Sequence, residues 1–319
     1  MLLAVENLQT HLHLKRGVLR AVDGISLEVD EGETLGLVGE SGSGKTLTGL
    51  SLLRLLPMGS GRIVGGSVKL DGQELTTLSE REMARDIRGR RIAMIMQDPM
   101  TSLNPVFSIG DQVGNPLRNH DIARGAALRS SVVDVLTRVR IPSPDKRLGD
   151  YPHQFSGGQR QRVVAAMAIG CTPRLLVADE PTTALDVTIQ VQIISLLRQI
   201  QADTGAGIIL ITHDLGVAAS LCRRIAVMYA GQIVETGPVR RIYRAPAHPY
   251  TQALLAAIPR LGEKRTRLQA IPGQPPSLID PPGGCRFAER CPVRMDKCAE
   301  APPTIDLADG HSAACWKLA

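Results

Sequence analysis

Aromatic residues are scarce in this 319-residue sequence, at 3% of the chain. Hydrophobic residues nevertheless make up 43%, so the core must be mainly aliphatic. A chain of this length holds one large domain with an appendage, or two domains. No Phe, Tyr or Trp occurs before Phe107, which leaves the first third of the chain without an aromatic ring.

Long apolar runs and long basic runs are also missing. The longest uninterrupted apolar stretch, residues 163–171, is too short to span a bilayer. The N-terminus, residues 1–6, lacks the basic and long apolar regions of a signal peptide. We therefore expect a soluble, cytosolic protein. The net charge of +6 comes from scattered Lys and Arg, which suits an anionic ligand or the cytoplasmic face of a membrane complex and gives a DNA-binding face no support.

A glycine-rich stretch near the N-terminus has the pattern G-x-x-x-x-G-K-[ST]. A short apolar run typical of a buried parallel strand, residues 34–38, precedes it, and a leucine-rich helical pattern, residues 47–56, follows it. Backbone N–H groups of such a loop surround the phosphates of a nucleotide, and the next helix N-terminus adds positive potential. The pattern predicts a phosphate-binding loop with these members: Gly39, Glu40, Ser41, Gly42, Ser43, Gly44, Lys45 and Thr46.

Two members of this loop have specific predicted roles. Lys45 neutralises phosphate charge, and Thr46 offers its hydroxyl to Mg²⁺. An ordinary Gly- and Ser-rich turn is the alternative, but the strand–turn–helix context favours a nucleotide.

The rest of the chain predicts an α/β fold. Residues 2–30 have the pattern of antiparallel strands, whereas residues 98–152, punctuated by prolines, predict a helical insertion. Apolar strands recur at residues 175–179, 207–212 and 224–229, and helix-sized segments separate them, as in a parallel sheet.

A second Ser-Gly-Gly turn opens a long apolar helix at Ser156, Gly157 and Gly158. Such a helix start predicts another anion-binding site. A protein with one phosphate-binding loop has no evident use for it, unless the turn acts on a nucleotide held by a different molecule.

Two carboxylates, Asp179 and Glu180, follow a short apolar strand. Asp179 can hold Mg²⁺ through water, and Glu180 is then placed to orient and deprotonate the water that attacks the γ-phosphate. An Asp-Glu pair can instead cap a helix. That alternative explains neither the apolar strand before the pair nor His213 at the end of the 207–212 strand.

These motifs resemble those of the ATPase subunit of an ATP-binding cassette (ABC) transporter. Residues 39–46 correspond to the Walker A motif, 155–159 to the signature, 175–180 to the Walker B motif with the catalytic Glu, and 184–186 to the D-loop. The resemblance implies a P-loop NTPase fold with an antiparallel β subdomain and a helical subdomain at about residues 98–172.

The resemblance also implies roles for individual residues around ATP and Mg²⁺. Gln97 corresponds to the Q-loop and His213 to the switch histidine, and both join Lys45 and Glu180 as catalytic residues. Gln97, Thr46 and Asp179 are the implied Mg²⁺ ligands. The turn that faces the nucleotide of a partner ATPase consists of Ser156, Gly157, Gly158 and Gln159.

Residues 97–105 and 248–255 resemble the dipeptide/oligopeptide importer branch of that family. This branch implies a second, homologous ATPase as the partner, two transmembrane permease subunits and an extracytoplasmic solute-binding protein, with no nucleic acid. The chain would lie on the cytoplasmic side of the plasma membrane. Import of another small solute, such as a nickel chelate, glutathione or an opine, is the alternative. A soluble cassette ATPase outside transport is a further alternative. Such a protein would carry two cassettes in one chain or a long coiled-coil insertion, and this sequence has neither.

Two positions depart from the family pattern. The family usually stacks adenine on an aromatic residue upstream of the Walker A motif, where this sequence offers His11, Leu12 and His13. Stacking therefore falls to a His ring, an apolar side chain or the partner. The signature begins with Phe155 where Leu is common, a change that should affect only packing.

The C-terminal part carries an independent signal in Cys285, Cys291, Cys298 and Cys315. We expect residues 1–260 to form the ATPase domain and residues 261–319 a Pro-rich linker with a Cys-rich module.

The four cysteines could form disulfides or bind a metal. In a cytosolic protein they are poor candidates for disulfides. Zinc sites usually have Cys pairs two to four residues apart. A four-thiolate iron–sulfur cluster tolerates the wider spacing seen here, so zinc ranks second.

The cysteine segment also resembles the tail of peptide-importer ATPases, through residues 283–287 and 290–292. In that family the tail is associated with a [4Fe-4S] cluster. The resemblance thus implies a structural cluster held by the four thiolates.

Overall fold

A computed structural model describes residues 1–183, 186–258 and 270–319. These residues form two compact units, each assembled from several chain segments. The first unit consists of residues 1–2, 29–34 and 77–211, and the second of residues 3–28, 35–76 and 212–319. The expected domain boundary at 260/261 lies outside the described residues and stays a prediction.

Strands and helices alternate through much of the described chain, as the α/β prediction requires. The strands are β1 (Leu3–Leu14), β2 (Gly17–Val29), β3 (Thr34–Val38), β4 (Gly61–Leu70), β5 (Gln73–Glu74), β6 (Ile92–Ile95), β7 (Leu175–Asp179), β8 (Gly207–Thr212), β9 (Arg224–Tyr229), β10 (Gln232–Pro238), β11 (Thr304–Asp306) and β12 (Ser312–Ala314).

The helices begin and end at the following residues: α1 (Lys45–Leu52), α2 (Glu80–Glu82), α3 (Pro99–Ser102), α4 (Ile109–Asn119), α5 (Gly125–Arg138), α6 (Gly157–Ile169), α7 (Val187–Thr204), α8 (Leu215–Leu221), α9 (Val239–Arg244) and α10 (Pro249–Ala256). A π-helical turn, Met83–Ile87, follows α2, and 3₁₀ turns include Pro152–Gln154 and Ala288–Arg290. Across the described segments, no helix is long and apolar enough to cross a membrane.

An antiparallel sheet in the second unit has the strand order β2-β1-β4-β5. The pattern of residues 2–14 predicts two strands, at residues 2–5 and 9–14, but β1 is continuous. Its register against β4 shifts between Glu6 and Gln9, where Asn7 adopts a left-handed conformation. A bulge of this kind disturbs the alternation of buried side chains without ending the strand, which explains the difference.

A second sheet in the same unit places the phosphate-binding loop. The strand β3 is buried along its whole length, as expected for a parallel strand covered on both faces. It runs parallel to β9, which pairs antiparallel with β10, and β12 and β11 extend the sheet beyond β10. The loop starts where β3 ends and leads directly into α1.

Three of the eight Phe, Tyr and Trp side chains of the chain meet in the core of the second unit. Tyr229, Tyr250 and Phe287, each at most 1% exposed, form what we call the aromatic cluster. The ring centroids lie 4.5 Å apart for Tyr229 and Tyr250, and 5.3 Å apart for Tyr229 and Phe287. An aliphatic shell surrounds the cluster, so the core is mainly but not entirely aliphatic.

The first unit combines a parallel sheet with a group of helices. Its strands β6, β7 and β8 pair in that order, all parallel. Helices α4 and α5 lie in the insertion predicted at residues 98–152, and they pack on each other and on α6, which follows it. Ser156 caps the start of α6 and Asp186 caps the start of α7, each with a side-chain oxygen that accepts a backbone N–H of the first turn.

Candidate functional site

The backbone of the phosphate-binding loop can be built only with glycine at two positions. Gly39 and Gly44 have φ values of 157° and 106°, in the region that L side chains rarely adopt. A Cβ atom would lie 2.1 Å from the carbonyl oxygen of Met228 at Gly39 and 2.2 Å from that of Ala21 at Gly44. The loop backbone therefore packs closely against the backbone of Met228 and of Ala21. These two contacts keep the N–H groups of the loop in a fixed arrangement.

The ammonium group of Lys45 lies across the loop. Its Nζ donates to the carbonyl oxygens of Gly39 and Glu40, at 2.8 and 2.9 Å, and approaches Ser43 Oγ at 3.4 Å. The side chain is 5% exposed. Thr46, the next residue, is exposed, as are Ser41 and Gly42. A positive charge held inside the loop, at the start of α1, makes it suited to bind an anion.

Glu40 connects the loop to residues far along the chain. Its backbone N–H donates to the hydroxyl of Tyr250 at 2.8 Å. Its carboxylate pairs with both terminal nitrogens of Arg290, at 2.7 and 3.0 Å. Tyr250 lies in the stretch that marks the importer branch, but nothing in the sequence assigns it a partner. The sequence does not identify Arg290 as a residue of this site, because a single Arg between two Cys residues gives no indication of a contact 250 positions away.

The two carboxylates predicted for hydrolysis lie at the end of β7, in the first unit. Asp179 is 2% exposed, whereas Glu180 is partly exposed. Glu180 has a φ of 45°, which is unusual for a residue with a side chain and is typical of functional positions. Its backbone N–H donates to the carbonyl oxygen of Ile211 at 2.8 Å, which anchors this turn to β8.

Gln97 and Glu180, which are 83 positions apart in sequence, meet in the same unit. The Gln97 Nε2 donates to Glu180 Oε2 at 3.1 Å, and Thr183 Oγ1 donates to the same oxygen at 2.8 Å. Gln97 follows the end of β6, as expected, and is exposed. The structure thus brings together two of the four side chains that were predicted to be catalytic.

The Ser-Gly-Gly turn is exposed at the start of α6. Ser156 caps the helix through Gln159, whose N–H donates to Ser156 Oγ and whose amide oxygen accepts the N–H of Ser156. Gly157 has open space around it, whereas a Cβ atom at Gly158 would lie 3.0 Å from Ile189 on α7. One glycine therefore leaves the surface open, and the other permits helix packing.

Phe155, which replaces the usual Leu, is 2% exposed and lies under the guanidinium of Arg147, 4.2 Å from the ring centroid. This is a packing role with an added cation–π contact.

His213 follows β8 and is exposed. Its neighbour Asp214 accepts the N–H of Val217 and so caps α8. The predicted D-loop is only partly visible, because residues 184–185 lie outside the described part of the chain.

The positions considered for adenine stacking lie near the end of β1. His11 and Leu12 are partly buried, and His13 is exposed. Burial lowers the pKa of His11, and within the described residues its Nε2 has no hydrogen-bond partner. Adenine stacking by any of the three stays a prediction.

The four C-terminal cysteines line one small cavity in the second unit, beside Phe287 and Trp316. All four are free thiols, and burial raises the pKa values of Cys285 and Cys291. In the segments that the structure covers, no group of three or more His, Cys, Asp or Glu side chains is arranged to hold a metal ion. The thiols thus share a cavity without forming a ready ligand set.

Cys171 and Cys222 lie elsewhere, as expected for isolated thiols. Burial raises the pKa of Cys222 to about 12, so this thiol is protonated at neutral pH.

Comparison with protein families gives two matches. The ABC transporter model matches residues 22–183, and the model for the oligopeptide/dipeptide transporter C-terminal region matches residues 234–298.

Curated relatives match along nearly the whole chain. A probable peptide ABC transporter ATP-binding protein of Sinorhizobium fredii is 49% identical over 99% of this chain and 95% of its own length. The dipeptide transport ATP-binding protein DppD of Bacillus subtilis is 48% identical over 98% and 94%. Its Escherichia coli counterpart is 47% identical over 98% and 96%.

Solved structures with a similar fold are ATP-binding cassettes. A dimeric, post-hydrolysis cassette named MJ0796, bound to ADP and Pi, aligns with a TM-score of 0.65 and 26% identity over 75% of this chain and 99% of its own. The cassette CbiO1 of Clostridium perfringens aligns with a TM-score of 0.65 and 25% identity over 76% and 91%.

Proposed function

This chain belongs to the ATP-binding cassette transporter family, and from that membership we propose that it hydrolyses ATP to energise import of di- or oligopeptides. The observation that supports peptides is the match of residues 234–298 to the oligopeptide/dipeptide transporter C-terminal region. Relatives named for peptide or dipeptide transport, at 47–49% identity over nearly the whole chain, support the same solute class.

ATP binding in this proposal depends on the loop between β3 and α1. The N–H groups of residues 39–46 receive the phosphates, and Lys45 moves its charge from the loop carbonyl oxygens to the phosphate oxygens. The Thr46 hydroxyl and the Asp179 carboxylate are oxygen donors of the kind that Mg²⁺ prefers, with Gln97 as a third. Mg²⁺, when bound, neutralises charge that develops on the transferred phosphoryl group.

Hydrolysis in this proposal uses Glu180 as the general base. Its carboxylate accepts the proton of the attacking water, and Gln97 and Thr183 hold that carboxylate in one orientation. His213 is proposed to contact the γ-phosphate side of the site. Its imidazole is exposed, so a bound nucleotide could reach it.

A partner ATPase completes each site in this proposal. The exposure of Ser156 and Gly157 at a helix start supports it, because backbone N–H groups at a helix start can bind an anion. We propose a homologous, non-identical ATPase as the partner, two permease subunits and an extracytoplasmic solute-binding protein. The chain would then lie on the cytoplasmic side of the membrane, attached through the permeases.

The four C-terminal thiols are proposed to hold a [4Fe-4S] cluster, with zinc as the alternative. Their convergence on one cavity supports the proposal, since four thiolates are the ligand set of such a cluster. The cluster would supply a cross-link among the segments of the tail that carry the four cysteines. Its proposed role is structural, and no step of ATP hydrolysis depends on it.

Co-expression with neighbouring subunits tests the proposed function. We expect the chain to co-purify with two permease subunits and a homologous ATPase, and ATP hydrolysis to rise when peptide-loaded binding protein is added. Lys45→Ala should abolish the increase by weakening nucleotide binding, since it deletes a charge that faces the phosphates. Full ATPase activity of the dilute, isolated chain, independent of its concentration, would contradict the shared-site mechanism.

A further inference from the structure

A short segment of the C-terminal module is fixed in the core of the second unit. Residues 285–291, which we call the anchor segment, run from the first cavity cysteine to the second. Phe287, at its centre, is 1% exposed and meets Tyr229 edge-on, with an interplanar angle of 88°. The 3₁₀ turn Ala288–Arg290 follows. The segment is therefore held by the aromatic cluster on one side and by the cysteine cavity on the other.

The next-to-last residue of the anchor segment is an Arg whose side chain is almost completely buried. The Arg290 side chain is 4% exposed, and the Glu40 side chain 28%. Besides its two bonds to Glu40, Arg290 donates to the Tyr229 hydroxyl at 3.1 Å and to the Pro272 carbonyl oxygen at 2.9 Å. A two-point pair of this kind fixes the orientation of both side chains, which a Lys could not do.

Glu40 is an unfavourable residue for an anion-binding loop unless its charge is compensated. It is the second residue of the loop, and its carboxylate would repel a nearby triphosphate. The pair with Arg290 neutralises this charge, and the bond from the Glu40 N–H to Tyr250 holds the backbone at the same point. The module therefore acts on the loop through Arg290, beside a backbone contact that Tyr250 supplies from outside the module.

We propose that Arg290 is a positioning residue of the nucleotide site, through which the Cys-bearing module sets the affinity of the loop for the phosphates of ATP. Arg290 does so by neutralising Glu40 and holding it away from the phosphates. The inference rests on the proposed phosphate-binding role of residues 39–46. It goes further by making the C-terminal module part of the machinery that binds ATP.

The same segment offers a matched control in Arg286. Its side chain is 5% exposed and forms an ion pair with Asp23, and it also donates to the Ala230 carbonyl oxygen. Neither partner belongs to the phosphate-binding loop. Substitution of Arg286 thus disturbs the same module and breaks a pair that is at least as well buried overall, but leaves Glu40 compensated.

The test measures ATP binding by calorimetry on the full chain, together with the melting temperature. Arg290→Met should raise the Kd for ATP about tenfold, or about 1.4 kcal/mol. Adding Glu40→Gln to Arg290→Met should recover most of the lost affinity, because the uncompensated charge is gone. Arg286→Met should lower the melting temperature comparably, yet change the Kd less than about twofold, as expected of an independent site.

Three results would overturn the inference. They are an unchanged Kd in Arg290→Met, no recovery on adding Glu40→Gln, and an equal loss of affinity in Arg286→Met. If Arg290→Met does not fold, Arg290→Gln serves the same comparison, since it also removes the charge that compensates Glu40 but keeps a polar side chain. A parent chain that binds no ATP overturns the proposed function itself, which is a different result from normal binding with no effect of Arg290.

Discussion

The side-chain amide of Gln97 donates a hydrogen bond to the carboxylate of Glu180, and 3.1 Å separates the two atoms. Glu180 also holds a left-handed backbone conformation, with a φ of 45°, at the end of a buried strand. A residue in this conformation persists only where its surroundings require it. The backbone and the side chain of Glu180 are therefore both oriented, as expected of a general base.

Glu180→Gln should nearly stop ATP turnover and leave ATP binding intact. The amide has the same volume as the carboxylate but cannot accept a proton from water, so we expect a loss on the order of 10² to 10⁴. Steady-state ATPase assays of the assembled complex, with ATP binding measured in parallel, check this. Glu28→Gln, at an exposed position of β2, is the matched control. Near-normal turnover in Glu180→Gln would remove the residue from its proposed role.

Local patterns in the sequence were sufficient to predict much of the fold. The buried run of β3 and the carboxylates at the end of β7 lie where the sequence predicted them, because uninterrupted apolar runs define parallel strands. The helix α1 was predicted to continue to Leu56 but ends at Leu52. Arg54 adopts a left-handed backbone conformation with a φ of 51°, which is incompatible with a continuing helix, so Leu55 and Leu56 lie beyond a turn.

Long-range contacts could not be predicted from local patterns. The loop glycines identify a phosphate-binding site by themselves, but the pair between Glu40 and Arg290 joins positions 250 residues apart. Its formation depends on how Phe287 packs against Tyr229 and Tyr250, which no periodicity encodes. The same holds for the convergence of the four cysteines on one cavity.

Gly44→Ala should disable the phosphate-binding loop. The added Cβ would lie 2.2 Å from the Ala21 carbonyl oxygen, and the φ of 106° is itself strained for Ala, so the loop must shift. We expect the affinity for ATP to fall at least about tenfold, that is, by about 1.4 kcal/mol or more. Gly72→Ala, at a φ of 78° with open space around it, controls for backbone strain alone and should retain ATP binding. Unchanged affinity in Gly44→Ala would contradict this view of the loop.

Glu74→Gln should lower stability at neutral pH and lose its effect in acid. Burial alone would raise the pKa of Glu74, but hydrogen bonds from Ser67, Thr76 and the N–H of Val68 lower it to about 2. Because the folded-state pKa lies below the ordinary value of 4.5, this stabilisation is complete above pH 4.5 and is lost as the pH falls toward 2.

Urea unfolding of the parent chain and Glu74→Gln at several pH values checks this prediction. The difference in the free energy of unfolding should be constant above about pH 5 and shrink steadily below it. A difference that does not change with pH would show that the hydrogen bonds do not depend on the charge of Glu74.

Cys291→Ser should remove the proposed cluster and loosen the tail. Protein purified without oxygen should be brown, with about four irons and four sulfides per chain, and the substitution should bleach it. Limited proteolysis should then cut within residues 284–316 more readily. Cys171→Ser, at a buried thiol outside the cavity, should leave the colour unchanged. A colourless parent protein with one zinc per chain would support the alternative metal.

Uptake of a labelled dipeptide into proteoliposomes tests most directly whether this chain energises peptide import. The vesicles carry the assembled complex, with ATP on the side of the ATPase subunits and peptide-loaded binding protein on the other. We predict uptake that requires ATP and falls by about the same factor as ATP turnover in Glu180→Gln. Uptake that continues at the parent rate in Glu180→Gln, or ATP hydrolysis with no peptide movement, would contradict the proposal.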